Sequence, residues 1–231
     1  MPDTAIFAII FVASYLIGSI PMAFLVVKWR YKADIRQYGS GQVGGSNLYR
    51  SFSKRWGYAV GIYDALKGAA IVLIAKLIGL ETVFQVLIGI AMIAGHNWPV
   101  FLRFNAGRGL ATTLGVCFVI FPFGIWIFIA GAVFTLLVGS SALPALVGMA
   151  AMPVASFIRG EPLETTLGLT ALVAILIIRR LTAPISERSR QVKKSELLLN
   201  RFLFDRDIRD SKQWVHHRPD SAPDKAGRKE P

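Results

Sequence analysis

The sequence predicts an all-α polytopic integral membrane protein with seven transmembrane helices, its N-terminus outside and its C-terminus in the cytoplasm. Two observations predict the class and a third the orientation. Hydrophobic residues fill 54% of the 231 positions, and apolar stretches of near-spanning length recur along the chain. Stretches such as 114–138 are apolar all round, with no polar face for water, as a lipid-embedded helix requires. The lysines and arginines, which give a net charge of +12, gather in the loop 28–57 and after Ile178. By the positive-inside rule both regions are cytoplasmic, so the number of spans is odd.

The first span, 4–27, has no basic segment before it and runs into a glycine-rich loop, which separates it from a cleaved signal peptide. The loop carries Lys28, Arg30, Lys32, Arg36, Arg50, Lys54 and Arg55. Spans at 58–78, 83–95, 110–123, 125–139, 142–158 and 163–178 follow, several shorter than the ~20 residues of a straight crossing, so tilted or protein-buried helices are expected. Pro122 with Gly124 suits a tight turn, and Gly139-Ser140-Ser141 with Pro144 separates the fifth span from the sixth. The opposite side shows little beyond Lys76, Glu81, Arg159 and Glu161. Residues 1–185 thus form the membrane domain. Segment 186–215 alternates apolar and basic residues like an amphipathic helix on an anionic surface or on the protein's own loops, and 216–231 has the composition of a disordered tail. Cys117 is alone, which excludes a disulfide framework or a cysteine zinc site.

Two polar, glycine-rich runs interrupt this apolar chain. Gly39-Ser40-Gly41-Gln42-Val43-Gly44-Gly45-Ser46-Asn47, closed by Arg50, has the glycines that let backbone N–H groups approach phosphate oxygens, with hydroxyl, amide and guanidinium donors beside them. A plain connector would account for one such run. A second, Gly107-Arg108-Gly109, follows Gly95-His96-Asn97-Trp98-Pro99. Ser46 and Arg50 share a face if Ser46 opens a short helix, whose N-terminus would favour an anion. Arg36 is explained equally well as a headgroup-facing charge, and that plainer reading is preferred. Asp64 and Lys67 are three apart on a helix, either a structural salt bridge or a lysine holding phosphate. His96, with Asn97 beside it and Arg108 and Thr112 beyond, is an interfacial hydrogen-bonding residue or a member of the same site. Two cationic, glycine-lined pockets suggest two phosphorylated ligands, or one ligand with two phosphates.

Absent patterns narrow the chemistry. No Walker lysine follows the glycines, and there is no HExxH, no G-x-S-x-G elbow, no aspartate five residues after His96, and no paired-aspartate run of the CDP-alcohol phosphotransferases. No cluster of His, Asp and Glu within the spans points to a metal. The positive charge lies where cytoplasmic loops place it, without a groove-reading motif, so attraction to membrane lipids and phosphorylated substrates is expected rather than to nucleic acid.

At these residues the chain resembles the bacterial acyl-phosphate:glycerol-3-phosphate acyltransferases, seven-span enzymes of the inner membrane. The blocks are Tyr15-Leu16-Ile17-Gly18-Ser19-Ile20-Pro21, Asp34-Ile35-Arg36, Gly39 through Asn47 with Arg50, Asp64-Ala65-Leu66-Lys67-Gly68, Gly95-His96, residues 99–104, Gly107-Arg108-Gly109 with Ala111-Thr112, and Ser140-Ser141. The chain has Gln42 where the family prefers Asn, Ser46 for Thr, and Ala106-Gly107-Arg108-Gly109 for Gly-Gly-Lys-Gly. The family's third motif, a His-Arg pair followed by Asn-Ile and Arg-Leu, is replaced by Arg179-Arg180-Leu181-Thr182-Ala183-Pro184.

The resemblance implies acyl transfer from acyl phosphate to the 1-hydroxyl of glycerol 3-phosphate, giving lysophosphatidic acid and phosphate in phospholipid synthesis, with no cofactor and no metal. It makes His96, Lys67 and Asn47 the candidate catalytic residues. Candidate substrate-binding residues are Ser40, Gly41, Gly44, Ser46, Asn47, Arg50, Lys67, Asn97, Gly107, Arg108, Gly109, Thr112 and Ser141. The active site is expected on the cytoplasmic side. His96 or the leaving phosphate can take the hydroxyl proton. Other classes are a transporter of a phosphorylated metabolite, which should bind near the bilayer midplane and show internal repeats, and an inactive paralogue acting as a scaffold.

Overall fold

A computed structural model describes residues 2–138, 142–183, 192–208 and 210. Ser141, the rest of the Gly139-Ser140-Ser141 turn and the stretch 211–231 lie outside the described residues. Among the described residues the structure is all-helical, without strands. Its α-helices are α1 (Pro2–Gly18), α2 (Met22–Tyr31), α3 (Gly45–Ser51), α4 (Lys54–Leu77), α5 (Thr82–Asn97), α6 (Leu110–Ile120), α7 (Gly124–Val138), α8 (Ala142–Ile158), α9 (Leu163–Leu181) and α10 (Lys194–Phe204).

Three stretches are long and apolar enough to cross a membrane, namely Thr4–Tyr31, Lys54–Leu77 and Thr82–Leu102, and Leu110–Ile120 and Leu143–Ile158 are shorter apolar helices. The first differs from the uninterrupted span expected at 4–27. It breaks between α1 and α2, where Pro21 has no N–H to donate and instead begins α2 by accepting from the Leu25 N–H at 3.1 Å. The second starts at Lys54, four residues before the expected 58, because the Ser53 hydroxyl caps it by accepting from the Trp56 N–H.

Glycines decide how the helices approach. A β-carbon on Gly18 would strike the Met92 carbonyl, and one on Gly95 the Tyr15 carbonyl, so α1 and α5 touch backbone to backbone. Gly68 meets the Thr112 carbonyl, and Gly115 the Ala65 carbonyl, in the same way between α4 and α6. Small residues at crossings are the usual means of helix association in lipid. The interior is completed by Val72, Ile88, Met92, Val116, Phe121, Leu169 and Leu172 from α4, α5, α6 and α9 and the turn after α6. Large apolar side chains such as Ile9, Leu77, Trp126, Phe157 and Ile158 face outward, as lipid-facing surfaces do. Some buried hydroxyls bond internally: Ser14 donates to the Ile10 carbonyl at 2.6 Å, and Ser156 pairs with Thr166 at 2.9 Å.

Candidate active site

The first glycine-rich run is a built loop. Asp34 caps a short 3₁₀ turn, Ile35–Gln37, accepting from the Arg36 N–H at 3.0 Å and from the Arg36 guanidinium at 2.6 Å. Burial works against the carboxylate, yet the Arg36 hydrogen bonds and charge outweigh it and hold Asp34 below its ordinary pKa. Arg36 is therefore engaged within its own turn. Gly39 and Gly41 take φ values of 54° and 69°, where a β-carbon would be strained.

Asn47 holds the loop together. Its amide donates to the carbonyls of Gln42 (2.9 Å), Tyr38 (3.0 Å) and Ile35 (3.3 Å) and accepts from the Ser40 N–H (3.3 Å) and the Ser51 hydroxyl (3.1 Å). With the side chain buried and these bonds made, Asn47 braces the loop. The Ser40 hydroxyl accepts from the Gln42 N–H at 3.4 Å. α3 begins one residue before Ser46, so Ser46 and Arg50 do share a helix, though one of seven residues.

The second run is pinned from below and behind. Tyr15 donates to the Trp98 carbonyl at 2.9 Å, fixing the end of α5. Arg179, only 2% exposed, donates to the carbonyls of Gly107 (2.9 Å) and Ala106 (3.0 Å), and its cation lies 5.8 Å from the centre of the Trp98 ring. Gly107 then lies so close to His96 and Val43 that a β-carbon would collide with His96 Nε2 and crowd the Val43 carbonyl. The two glycine-rich runs therefore meet over the His96 ring. Gly109, at φ 72°, lies equally close to the Asn97 side chain.

Under this loop α4 delivers Asp64 and Lys67. Lys67 Nζ is 2.8 Å from Asp64 Oδ1, 3.1 Å from His96 Nδ1 and 3.4 Å from the Gly18 carbonyl, while Asp64 Oδ1 is 3.5 Å from the same ring nitrogen. Both members of the expected salt bridge are buried, and its lysine also reaches His96. The Asn97 amide atoms and the Thr112 and Thr113 hydroxyls are buried with no hydrogen-bond partner among the described residues. Such groups are costly in an interior unless something polar engages them.

Above, the charges are cationic. Arg108 donates to the Asp205 carbonyl and lies 2.5 Å from its carboxylate, and Arg180 Nε is 3.0 Å from the other oxygen of that carboxylate. Partial burial, then the charges of Arg108 and Arg206, lower the pKa of Arg50, with Asp205 opposing. Arg50 and Arg108, from the two runs, therefore sense one another.

Residues 8–190 match the family model described as glycerol-3-phosphate acyltransferase. The chain belongs to this family. A relative from Dehalococcoides mccartyi strain CBDB1, glycerol-3-phosphate acyltransferase 4, is 45% identical over 91% of this chain and 94% of its own. Glycerol-3-phosphate acyltransferase of Bacillus cereus strain G9842 is 35% identical over 66% of this chain and 77% of its own. Among solved structures, PlsY, an integral membrane glycerol 3-phosphate acyltransferase, in its glycerol 3-phosphate form superposes with a TM-score of 0.73 at 28% identity, covering 90% of this chain and 96% of that one.

Within this acyltransferase, sequence reasoning found the glycine runs, the Asp64–Lys67 pair and His96. Its candidate residues did not include Arg179, Arg180, Asp205 and Arg206, which the structure brings beside Gly107, Arg108 and Arg50. The first two carried a readable signal, a pair of arginines in the last turn of an apolar helix. Asp205 carried none, since it meets Arg108 across 97 residues of chain.

Proposed function

We propose that the protein transfers an acyl chain from acyl phosphate to the 1-hydroxyl of glycerol 3-phosphate, releasing lysophosphatidic acid and inorganic phosphate. The reaction runs at the cytoplasmic face of the bacterial inner membrane, in a seven-span chain with its N-terminus outside. The observation that carries this reading is the meeting of the two glycine-rich runs over His96, with Arg50 and Arg108 beside them. That arrangement suits two phosphate groups held close together, which is most of what an already activated acyl donor needs.

In this mechanism Arg50 and Arg108, with the Ser40 and Ser46 hydroxyls, hold the glycerol 3-phosphate, while the N–H groups of the loops at Gly41, Gly44, Gly107 and Gly109 face the acyl phosphate. The substrate hydroxyl attacks the acyl carbonyl carbon, a new ester C–O bond forms, and the bond to the bridging phosphate oxygen breaks. The hydroxyl proton passes to the leaving phosphate. His96 serves as a donor: with Lys67 donating to Nδ1, the neutral ring carries its hydrogen on Nε2, the nitrogen facing Gly107. Asn97 and Thr112, buried and unpartnered among the described residues, supply further polar contacts to the bound substrates. The acyl tail lies among the spans.

Transport and an inactive scaffold are less favoured. Asn47, His96, Asn97, Arg108 and Thr112 lie where α3, α5 and α6 begin or end, with Asp64 and Lys67 reaching them from the middle of α4, and Arg179 still braces the Gly107 loop although the third motif has changed. Purified protein given acyl phosphate and labelled glycerol 3-phosphate should form labelled lysophosphatidic acid. Arg50→Ala should lose about ten- to hundredfold in turnover, the worth of one charge-assisted hydrogen bond. No product from the wild-type protein, alongside uptake of glycerol 3-phosphate into vesicles, would replace this reading by transport. A cysteine in the loop 39–47 should react with an impermeant reagent only when the cytoplasmic side is opened, and labelling from outside intact cells would reverse the topology.

A further inference from the structure

We propose that Asp205 is an internal ligand of the phosphate-binding arginines and so sets the affinity of the site for its phosphorylated substrate. The inference rests on the proposed placement of phosphate beside Arg50 and Arg108. Asp205 lies beyond residue 190, where the match to the family model ends, and belongs to the turn that follows α10.

That turn is firmly built. Arg201, 3% exposed, clamps Asp207 at 2.7 Å and donates to the Leu181 carbonyl at the end of α9 at 2.8 Å. Asn200 donates to the Asp207 carbonyl at 3.3 Å, and the Arg180 guanidinium reaches back to the Phe202 carbonyl at 2.9 Å. Asp205 itself sits in the left-handed region at φ 56°, a conformation that aspartate and asparagine accept more readily than most residues. The construction points one carboxylate between Arg108 and Arg180, with its side chain still a quarter exposed.

A carboxylate and a phosphate ask the same thing of a guanidinium: N–H donors in a fork, and a positive charge. Arg108 and Arg180 both approach this one carboxylate, and Arg50 feels the charges of both Arg108 and Asp205, so a phosphate entering beside Arg108 competes with Asp205 for the same guanidinium. Arg108 Nε and Nη2 make no hydrogen bond among the described residues, so its guanidinium can turn from Asp205 towards a phosphate without losing other contacts. Each substrate molecule must draw Arg108 away from this resident carboxylate. Asp205 is thus a positioning residue that weakens binding and keeps the arginines ordered between turnovers. The same competition acts on inorganic phosphate, the product, and favours its release.

The test uses full-length protein in detergent or vesicles. Asp205→Asn keeps the turn and removes the charge, so KM for glycerol 3-phosphate should fall by about fivefold or more, with kcat within about twofold. Inorganic phosphate, measured by calorimetry without turnover, should bind more tightly by the same factor. Asp205→Glu keeps the charge and should stay near the wild type in both. An unchanged or raised KM in Asp205→Asn, an equal shift in Asp205→Glu, or collapse of the fold in Asp205→Asn would each overturn the proposal. Wild-type turnover and its loss in Arg50→Ala test the underlying placement of phosphate, so failure there is distinguishable from failure here.

Discussion

Lys67 on α4 lies 3.1 Å from the Nδ1 atom of His96 on α5, closer than Asp64 comes to the same nitrogen. A lysine ammonium has donors only, so a hydrogen bond from Lys67 requires the ring to accept at Nδ1, and a neutral ring then has its hydrogen on Nε2. In the mechanism proposed above, His96 accordingly faces the Gly107 loop as a donor rather than a base.

This has a direct consequence for substitutions. His96→Gln keeps an N–H donor of similar reach and should retain activity within about tenfold, whereas His96→Ala should lose about 10²–10³ in kcat, the usual effect of removing one transition-state donor. Steady-state kinetics on the two variants checks it. Equal loss in both would make His96 the base.

Lys67→Met should be more damaging to the fold. It leaves Asp64 buried with His96, 3.5 Å away, as its remaining neighbour, and breaking a buried ion pair costs about 3–5 kcal/mol. Adding Asp64→Leu should restore most of the thermal stability while leaving acyl transfer absent. Recovery of activity in the double variant would make the pair structural only.

Much of this arrangement was legible in the sequence, in uneven measure. Glycines announce themselves because close backbone approach leaves no other residue type, so both runs and the Asp64–Lys67–Gly68 block stood out. Helix ends were less legible: Pro21 interrupts a stretch whose hydropathy is continuous, and Ser53 starts α4 among polar residues. Asn47 looked like a substrate ligand because an amide in a glycine-rich run suits either task. Only the carbonyls of Ile35, Tyr38 and Gln42 around it reveal that it braces the loop. Arg179 meets Gly107 across 72 positions and Asp205 meets Arg108 across 97, contacts that no local pattern encodes.

The glycines themselves separate two roles. Gly107→Ala should disturb the loop directly, because the new methyl meets His96 Nε2, and both activity and thermal stability should fall. Gly44 has an extended φ of −163° and nothing within 4 Å of where a methyl group would stand, so Gly44→Ala should leave stability unchanged. Its activity should nevertheless drop by about tenfold or more if phosphate lies against that backbone N–H, as proposed. Full activity in Gly44→Ala would place the phosphate elsewhere.

Truncation distinguishes the cover that α10 provides from the charge of Asp205. α10 buries Leu197 and Arg201 against the rest of the protein, and its removal would strip the Leu181 carbonyl of Arg201 and Arg180 of the Phe202 carbonyl. The last turn of α9 would then fray. Arg179 lies in that turn and holds the Ala106 and Gly107 carbonyls, so the loop over His96 would loosen as well. Cutting the chain after Pro184 should therefore lower kcat and raise KM, opposite in sign to the KM change expected for Asp205→Asn. Cutting after His217 removes only a polar stretch with no apolar anchor and should leave activity unchanged. Kinetics on the two truncations decide the matter: if the shorter chain matches the full-length protein, α10 contributes nothing to the order of the site.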